Sequence, residues 1–183
     1  MWKLGVGLWL VSSSATPARS AEAWVQRYGH SPNLNDVGTR VVIDKAGNVI
    51  VTGWSESVLA YPDFATIKYS GAGVPLWTNR YNAPANTADY PTGMAVDSDD
   101  NVIVTGYADF ADYNTIKYSS AGVPLWTNRY SGPYETLDEA RAVAVDSDDN
   151  VFVTGNSDSD YATIKYSSAG VPLWINRYDE GPL

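Results

Sequence analysis

YSSAGVPLW stands at 118–126 and again at 166–174, and YSGAGVPLW at 69–77 nearly repeats it. Reading outward, Trp24, Trp77, Trp126 and Trp174 mark equivalent points. They lie 53, 49 and 48 residues apart. No stretch shows apolar residues three and four apart, so the repeat is not helical. Each unit parses into four strand-like runs. In the second unit these are 93–97, 101–106, 113–118 and 123–130. In the third they are 142–146, 150–155, 161–166 and 171–178, and in the first 40–44, 48–53, 64–69 and 74–81. A period of about 40–50 residues with four strands per unit describes the blade of a β-propeller. The fold class expected is all-β. It comprises three four-stranded antiparallel blades, at about 29–81, 82–130 and 131–178, plus one extra N-terminal strand at 24–28 (WVQRY) that matches only a fourth strand.

Strand chemistry orders each blade. The first strand is apolar on both faces (Met94, Ala95, Val96; Val143, Ala144, Val145), which predicts a strand sandwiched near the propeller centre. The second is similarly apolar. The third alternates, with Ile116 and Tyr118 opposite Thr115 and Lys117, which predicts one wetter face. The fourth carries Pro75, Pro124 and Pro172 at matching positions. Proline cannot donate to a ladder, so the fourth strand is outermost. Up-and-down connectivity then places the near-identical hairpin turns on one face of the disc. The divergent connections, 54–63, 107–112 and 156–160 within units and 82–92 and 131–141 between them, fall on the other.

Composition bounds the function. The 183 residues carry a formal charge of −9, with no cysteine and one histidine, His30. An acidic chain repels nucleic acid and anionic membrane surfaces, so neither is an expected partner. Without cysteine there is no disulfide, thiol catalysis or cysteine-held zinc. One histidine with no nucleophile placed beside it gives no Ser-His-Asp triad. The N-terminus reads as an export signal over 1–23. Lys3 precedes an apolar run at 4–11, and Ala21-Glu22-Ala23 fits a cleavage pattern. Residues 24–183 form the repeat domain. The run at 4–11 is too short to span a bilayer.

These elements resemble a known family. AVDSDDNVIVTG at 95–106 and DYNTIKYSSAGVPLWTNRY at 112–130 look like the bacterial β-propeller repeat called SBBP, and the third unit repeats the same strand signatures. The similarity covers 24–178. The first unit departs, with Val42-Ile43-Asp44 and a longer middle loop. The resemblance implies exported or surface-associated bacterial proteins. It supplies no catalytic residues.

Two sets of candidate residues follow. Divergent connections on a repeated scaffold suit a binding surface. Here they carry Trp54, Tyr61, Asp63, Tyr90, Tyr134, Glu135, Asp138, Asp158 and Asp160, alongside further acids such as Asp89 and Glu139. Aromatic rings beside carboxylates bind sugars or cationic groups. In the hairpin turns, Asp97, Asp99 and Asn101, and likewise Asp146, Asp148 and Asn150, stand at positions one, three and five of a calcium loop. Position six is valine and position twelve is not acidic, so a plain hairpin turn also accounts for them. No other cofactor is expected. The functional expectation is a non-catalytic, exported module with a binding or structural role toward a glycan or protein ligand, secreted or at the cell surface. The alternatives are a carbohydrate-active enzyme using loop carboxylates and an architectural repeat that stacks blade to blade. Three blades do not close a ring of the usual four to eight. The expectation is therefore an incomplete propeller, either lacking further blades or self-associating through its open faces.

Overall fold

A computed structural model describes residues 23–29, 34–57, 61–108, 112–134 and 137–178. Residues 1–22 of the signal segment expected over 1–23, His30 and Glu135 lie outside the described residues. Among those described there is no helix, and nothing helical is long and apolar enough to cross a membrane. Twelve strands form three antiparallel four-stranded sheets, each in plain sequence order. The first blade holds β1 (Asp36–Ile43), β2 (Val49–Glu56), β3 (Pro62–Tyr69) and β4 (Pro75–Tyr81). The second holds β5 (Tyr90–Val96), β6 (Val102–Ala108), β7 (Asp112–Tyr118) and β8 (Pro124–Tyr130). The third holds β9 (Asp138–Val145), β10 (Val151–Ser157), β11 (Asp160–Tyr166) and β12 (Pro172–Tyr178).

The proline-bearing strands β4, β8 and β12 are the outer edges, as proline requires. The inner strands β1, β5 and β9 pack successively, β5 between the other two. Each inner strand carries a bulge at one equivalent residue, Thr39, Thr92 or Arg141. The two threonines use the bulge to reach the next blade. Thr39 Oγ1 donates to the Pro91 carbonyl (3.1 Å), and Thr92 Oγ1 to the Ala140 carbonyl (2.6 Å).

The core consists of the two layers between blades. Ile50 and Phe64 meet Val102, Val104, Ile116 and Tyr118 in one. Ile103 and Tyr113 meet Val151, Val153, Ile164 and Tyr166 in the other.

Burial corrects the expected order of wetness. The third strands β3 and β7 are buried at every position, whereas β1 is largely exposed, with Val41 63% and Ile43 67% accessible. Strands β3 and β7 bury their polar side chains because each finds a partner. Thr52 and Thr66 share a hydroxyl hydrogen bond, as do Thr105 and Thr115, both at 2.9 Å. Lys68 and Lys117 pair with Asp44 and Asp97. The inner strands β1, β5 and β9 are edges of their sheets, with a ladder partner on one side only. A second correction concerns 24–28, which forms no strand. Trp24 nevertheless docks on the first blade. Its ring lies 6.0 Å from that of Tyr69.

Candidate functional site

The turn-bearing end is built from repeated carboxylates. Asp97 Oδ1 accepts the backbone N–H groups of Asp99 and Asn101, both at 2.9 Å. Its Oδ2 accepts the Asn101 amide at 2.9 Å and Lys117 Nζ at 2.7 Å. Asp146 repeats the pattern with Asp148, Asn150 and Lys165, the last at 3.4 Å. The fourth turn residue takes positive φ, 79° at Gly47 and 60° at Asp100 and Asp149. That aspartate ties one blade's turn to the next: Lys45 N donates to Asp100 Oδ1 (3.1 Å) and Ser98 N to Asp149 Oδ1 (2.8 Å). An ammonium group therefore sits on the carboxylates proposed as calcium ligands. Asp99 and Asp148 lend their N–H groups to the turn. No group of three or more acidic, histidine or cysteine side chains among the described residues is placed to hold a metal ion.

The opposite end carries the divergent connections, as the topology predicted. Asp89 N there donates to the Pro62 carbonyl and Asp158 N to the Leu137 carbonyl, joining inter-blade and intra-blade connections. Most of its acids serve as clamps on the rim strand. Arg80 binds Asp63 Oδ2 (2.6 Å) and Ser55 Oγ (2.5 Å). Arg129 pairs with Asp112. Arg177 binds Asp158 (2.9 Å), Asp160 (3.2 Å) and Ser157 Oγ (2.6 Å), and it also donates to the Tyr130 hydroxyl of the preceding blade (3.2 Å). Asp89 and Asp138, both fully buried, hold the inter-blade connections. Their Oδ2 atoms accept Ala83 N (2.7 Å) and Gly132 N (2.6 Å). Gly132 passes so close over this cluster that a Cβ there would lie 2.6 Å from Ser157 Oγ and 2.7 Å from Asp138 Oδ1.

What remains for a ligand is aromatic. Trp54 on β2 meets Tyr90 on β5 edge-on, ring centres 5.9 Å apart and planes at 81°. Tyr90 in turn lies 5.4 Å from Tyr107 on β6. All three rings are half-buried, in a row that crosses from the first blade to the second. Beyond Tyr107 comes Glu139 on the third blade, ion-paired to exposed Arg141. Burial first, then the charges of Glu139 and Tyr90, push the Tyr107 hydroxyl above its ordinary range, against the opposing charge of Arg141. Tyr61 and Tyr134 are exposed, and no ring contact joins them to this row.

The relation between neighbouring blades decides what kind of repeat this is. Trp77 Nε1 donates to the Ser120 carbonyl and Trp126 Nε1 to the Ser168 carbonyl, both at 3.1 Å, each across a blade boundary. Residues 126–162 match the family model SBBP, the beta-propeller repeat. The match runs from the rim tryptophan of the second blade into β11 of the third, so the SBBP repeat spans one such boundary. No curated protein matches the chain in sequence. Among solved structures, a chain described as a crystal structure of the eukaryotic initiation factor superposes with a TM-score of 0.54 at 10% identity. The likeness covers 80% of this chain and 33% of that one, so this chain spans about a third of its length, and it shows the fold alone.

The recurring tryptophans Trp77 and Trp126 thus dock one blade on the next. The sequence does not single out Tyr107 or Arg141, although both fall within divergent connections, 107–112 and 131–141. Tyr107 ends the ordinary Val-Thr-Gly strand, and Arg141 sits at the β9 bulge. The signal that finds them is positional. Trp54, Tyr107 and Asn156 occupy one place in three units, opposite Val37, Tyr90 and Glu139. Bulky aromatics fill both members of that pair only in the second blade.

Proposed function

We propose that this chain is a non-catalytic, exported binding module. Its ligand lies across the Trp54–Tyr90–Tyr107 row and reaches the Glu139–Arg141 pair, and the ligand class is a glycan. The row carries the reading. It consists of half-buried rings at the divergent end, bordered by one carboxylate and one guanidinium, and such a surface stacks on a sugar's apolar face while satisfying its hydroxyls. The acids of the same end support binding over hydrolysis. Asp63, Asp158 and Asp160 are engaged by Arg80 and Arg177, and a glycoside hydrolase needs one carboxyl kept protonated beside the scissile bond. Export is supported by the charged, apolar and small-residue order of 1–23.

Glycan-array screening followed by calorimetry of the best hit tests the reading. Trp54→Ala and Tyr107→Ala are each expected to weaken binding at least tenfold, while Tyr134→Ala, off the row, leaves it unchanged. An array without hits, or hits indifferent to Trp54 and Tyr107, would refute it.

A further inference from the structure

At the turn-bearing end the two internal blade boundaries use the same aspartate, and they leave it in different states. At the second boundary Asp149 is saturated. Its Oδ1 accepts Ser98 N (2.8 Å) and its Oδ2 the Ser98 hydroxyl (2.6 Å). At the first boundary Lys45 stands where the next turn has Ser98. Its N–H goes to Asp100 Oδ1 (3.1 Å). It has no hydroxyl to give, and its ammonium group bonds the Ser98 carbonyl instead. Asp100 Oδ2 therefore accepts no hydrogen bond from the described residues.

Two neighbouring positions widen the difference. Ala46 stands where the next turn has Asp99, so a methyl group replaces a carboxylate. Asn48 bonds Asp44 through its N–H and its amide nitrogen, both at 2.8 Å, and its Oδ1 takes no part. In the next turn the corresponding Asn101 Oδ1 accepts Ser120 N (3.3 Å). The first boundary thus presents two open acceptors where the second has its aspartate and asparagine oxygens filled.

Asn48 and Asp100 form the polar wall of a cavity of ≈ 460 Å³, and all of its walls come from the first and second blades. The opposing wall is apolar, with Ala46, Ala121, Leu76 and the Trp77 indole. Leu76 is 51% accessible. Trp77 is fixed by its Nε1 bond to the Ser120 carbonyl (3.1 Å) and by Gly122, where a Cβ would lie 2.7 Å from the ring. Lys68 and Asp44 also line the cavity, but they are bonded to each other at 2.8 Å, and Lys68 Nζ also donates to the Ser120 carbonyl (3.0 Å). The volume is that of a small-ligand site.

We propose that this cavity binds a primary ammonium group carried on a short apolar chain. Within the lining, Lys68 and Asp44 cancel, which leaves the Asp100 carboxylate as the net charge. An ammonium group has three donors and no acceptor, and the two open atoms, Asp100 Oδ2 and Asn48 Oδ1, both accept. The bond to Asp100 is charge-assisted. The Trp77 indole attracts the same cation, and the methylene stem lies along Leu76. An anion would instead meet Asp100. A free alkylamine and a lysine side chain share this chemistry. The cavity lies at the turn-bearing end, away from the aromatic row, so the inference is independent of the glycan reading.

Titration calorimetry of the full chain tests it, with pentylammonium as the probe, pentanol as its uncharged match and Nα-acetyl-lysine amide as the side-chain form. Pentylammonium is expected to bind, and pentanol at least about tenfold more weakly. Binding of the lysine derivative as well assigns the site to a protein side chain, and its exclusion assigns a free amine. Asp100→Asn is expected to weaken binding at least about tenfold. Asparagine tolerates the left-handed φ of 60° at that position, so the turn persists. Asp149→Asn, at the other boundary, leaves binding unchanged. Lys45 separates hydrogen bonding from net charge. Lys45→Ser removes a cation yet supplies the hydroxyl that fills Asp100 Oδ2, and it is expected to weaken binding. Lys45→Ala removes the same cation without a hydroxyl and is expected to hold or tighten it. Silence from both amines, pentanol binding as well as pentylammonium, indifference to Asp100→Asn, or Lys45→Ser binding as tightly as Lys45→Ala would each overturn the proposal.

Discussion

Glycine is demanded for two separate reasons in these turns, and two positions separate them. Gly47 has φ of 79° and open space where a Cβ would stand. Its requirement is purely conformational, and Gly47→Ala is expected to cost about 1–2 kcal/mol, the price of one left-handed L-residue. Gly122 has φ of 84°, and in addition a Cβ there would meet the Trp77 ring at 2.7 Å. Backbone strain and overpacking then combine, the second adding about 1–3 kcal/mol. Urea unfolding of the two variants checks this, with Gly122→Ala expected to be the less stable by that margin. Equal midpoints would mean that the tryptophan yields freely, and the blade boundary would then be looser than drawn.

At the scale of the strand, the comparison that matters is between β7 and β11. Their sequences, DYNTIKY and DYATIKY, differ at one residue, yet β7 is wholly buried and β11 alternates. Lys117 and Asp97 are 4% and 1% accessible through their side chains, while Lys165 and Asp146 are 21% and 31% accessible. Removing one member of a buried pair strands the other charge and costs about 3–5 kcal/mol, whereas an exposed pair contributes about 0–1 kcal/mol. Lys117→Met is therefore expected to destabilise by several kcal/mol and Lys165→Met by far less, read from denaturant midpoints. The same comparison shows where a sequence reading stops. Strand order, the outer position of Pro75, Pro124 and Pro172, and the division into a turn end and a divergent end were legible, because each rests on chemistry within one unit. Burial of the third strand was not, since it depends on whether a neighbour stands beside it. The row Trp54–Tyr90–Tyr107 was half legible for the same reason: two of its members were visible as loop-edge aromatics, but their adjacency is set by docking between blades. The aspartate turns read as plain hairpins with the opening spacing of a calcium loop, and the ion pairs of Asp97 with Lys117 and Asp146 with Lys165 were hidden by their separation in sequence.

For the molecule as a whole, the Asp–Lys pairs make stability depend on acid in a defined window. Burial pushes the Asp44 carboxyl up, but the bonds from Lys68 and from the Asn48 side chain and backbone outweigh it and hold it at about 2, below its ordinary 3.8. Asp97 is lowered by the same balance against its burial, with Lys117 and Asn101 as its partners. Asp146 is lowered chiefly by the Asn150 amide. A carboxyl lowered in the folded state binds protons more readily when unfolded. The stability it contributes is complete above the unfolded value and fades as pH falls toward the folded one. The melting temperature is therefore expected to hold from neutral pH down to about 4 and to fall between about 4 and 2. Asp44→Asn isolates one pair, because its amide cannot ionise and leaves Lys68 buried without its counter-charge. The variant is expected to melt below the wild type at neutral pH, and the gap should narrow through that same window as Asp44 itself becomes neutral. Melting curves of both proteins across the range decide the matter. A gap that stays constant down to pH 2 would show that the carboxylate's charge contributes nothing and that the turn is held by Asx geometry alone.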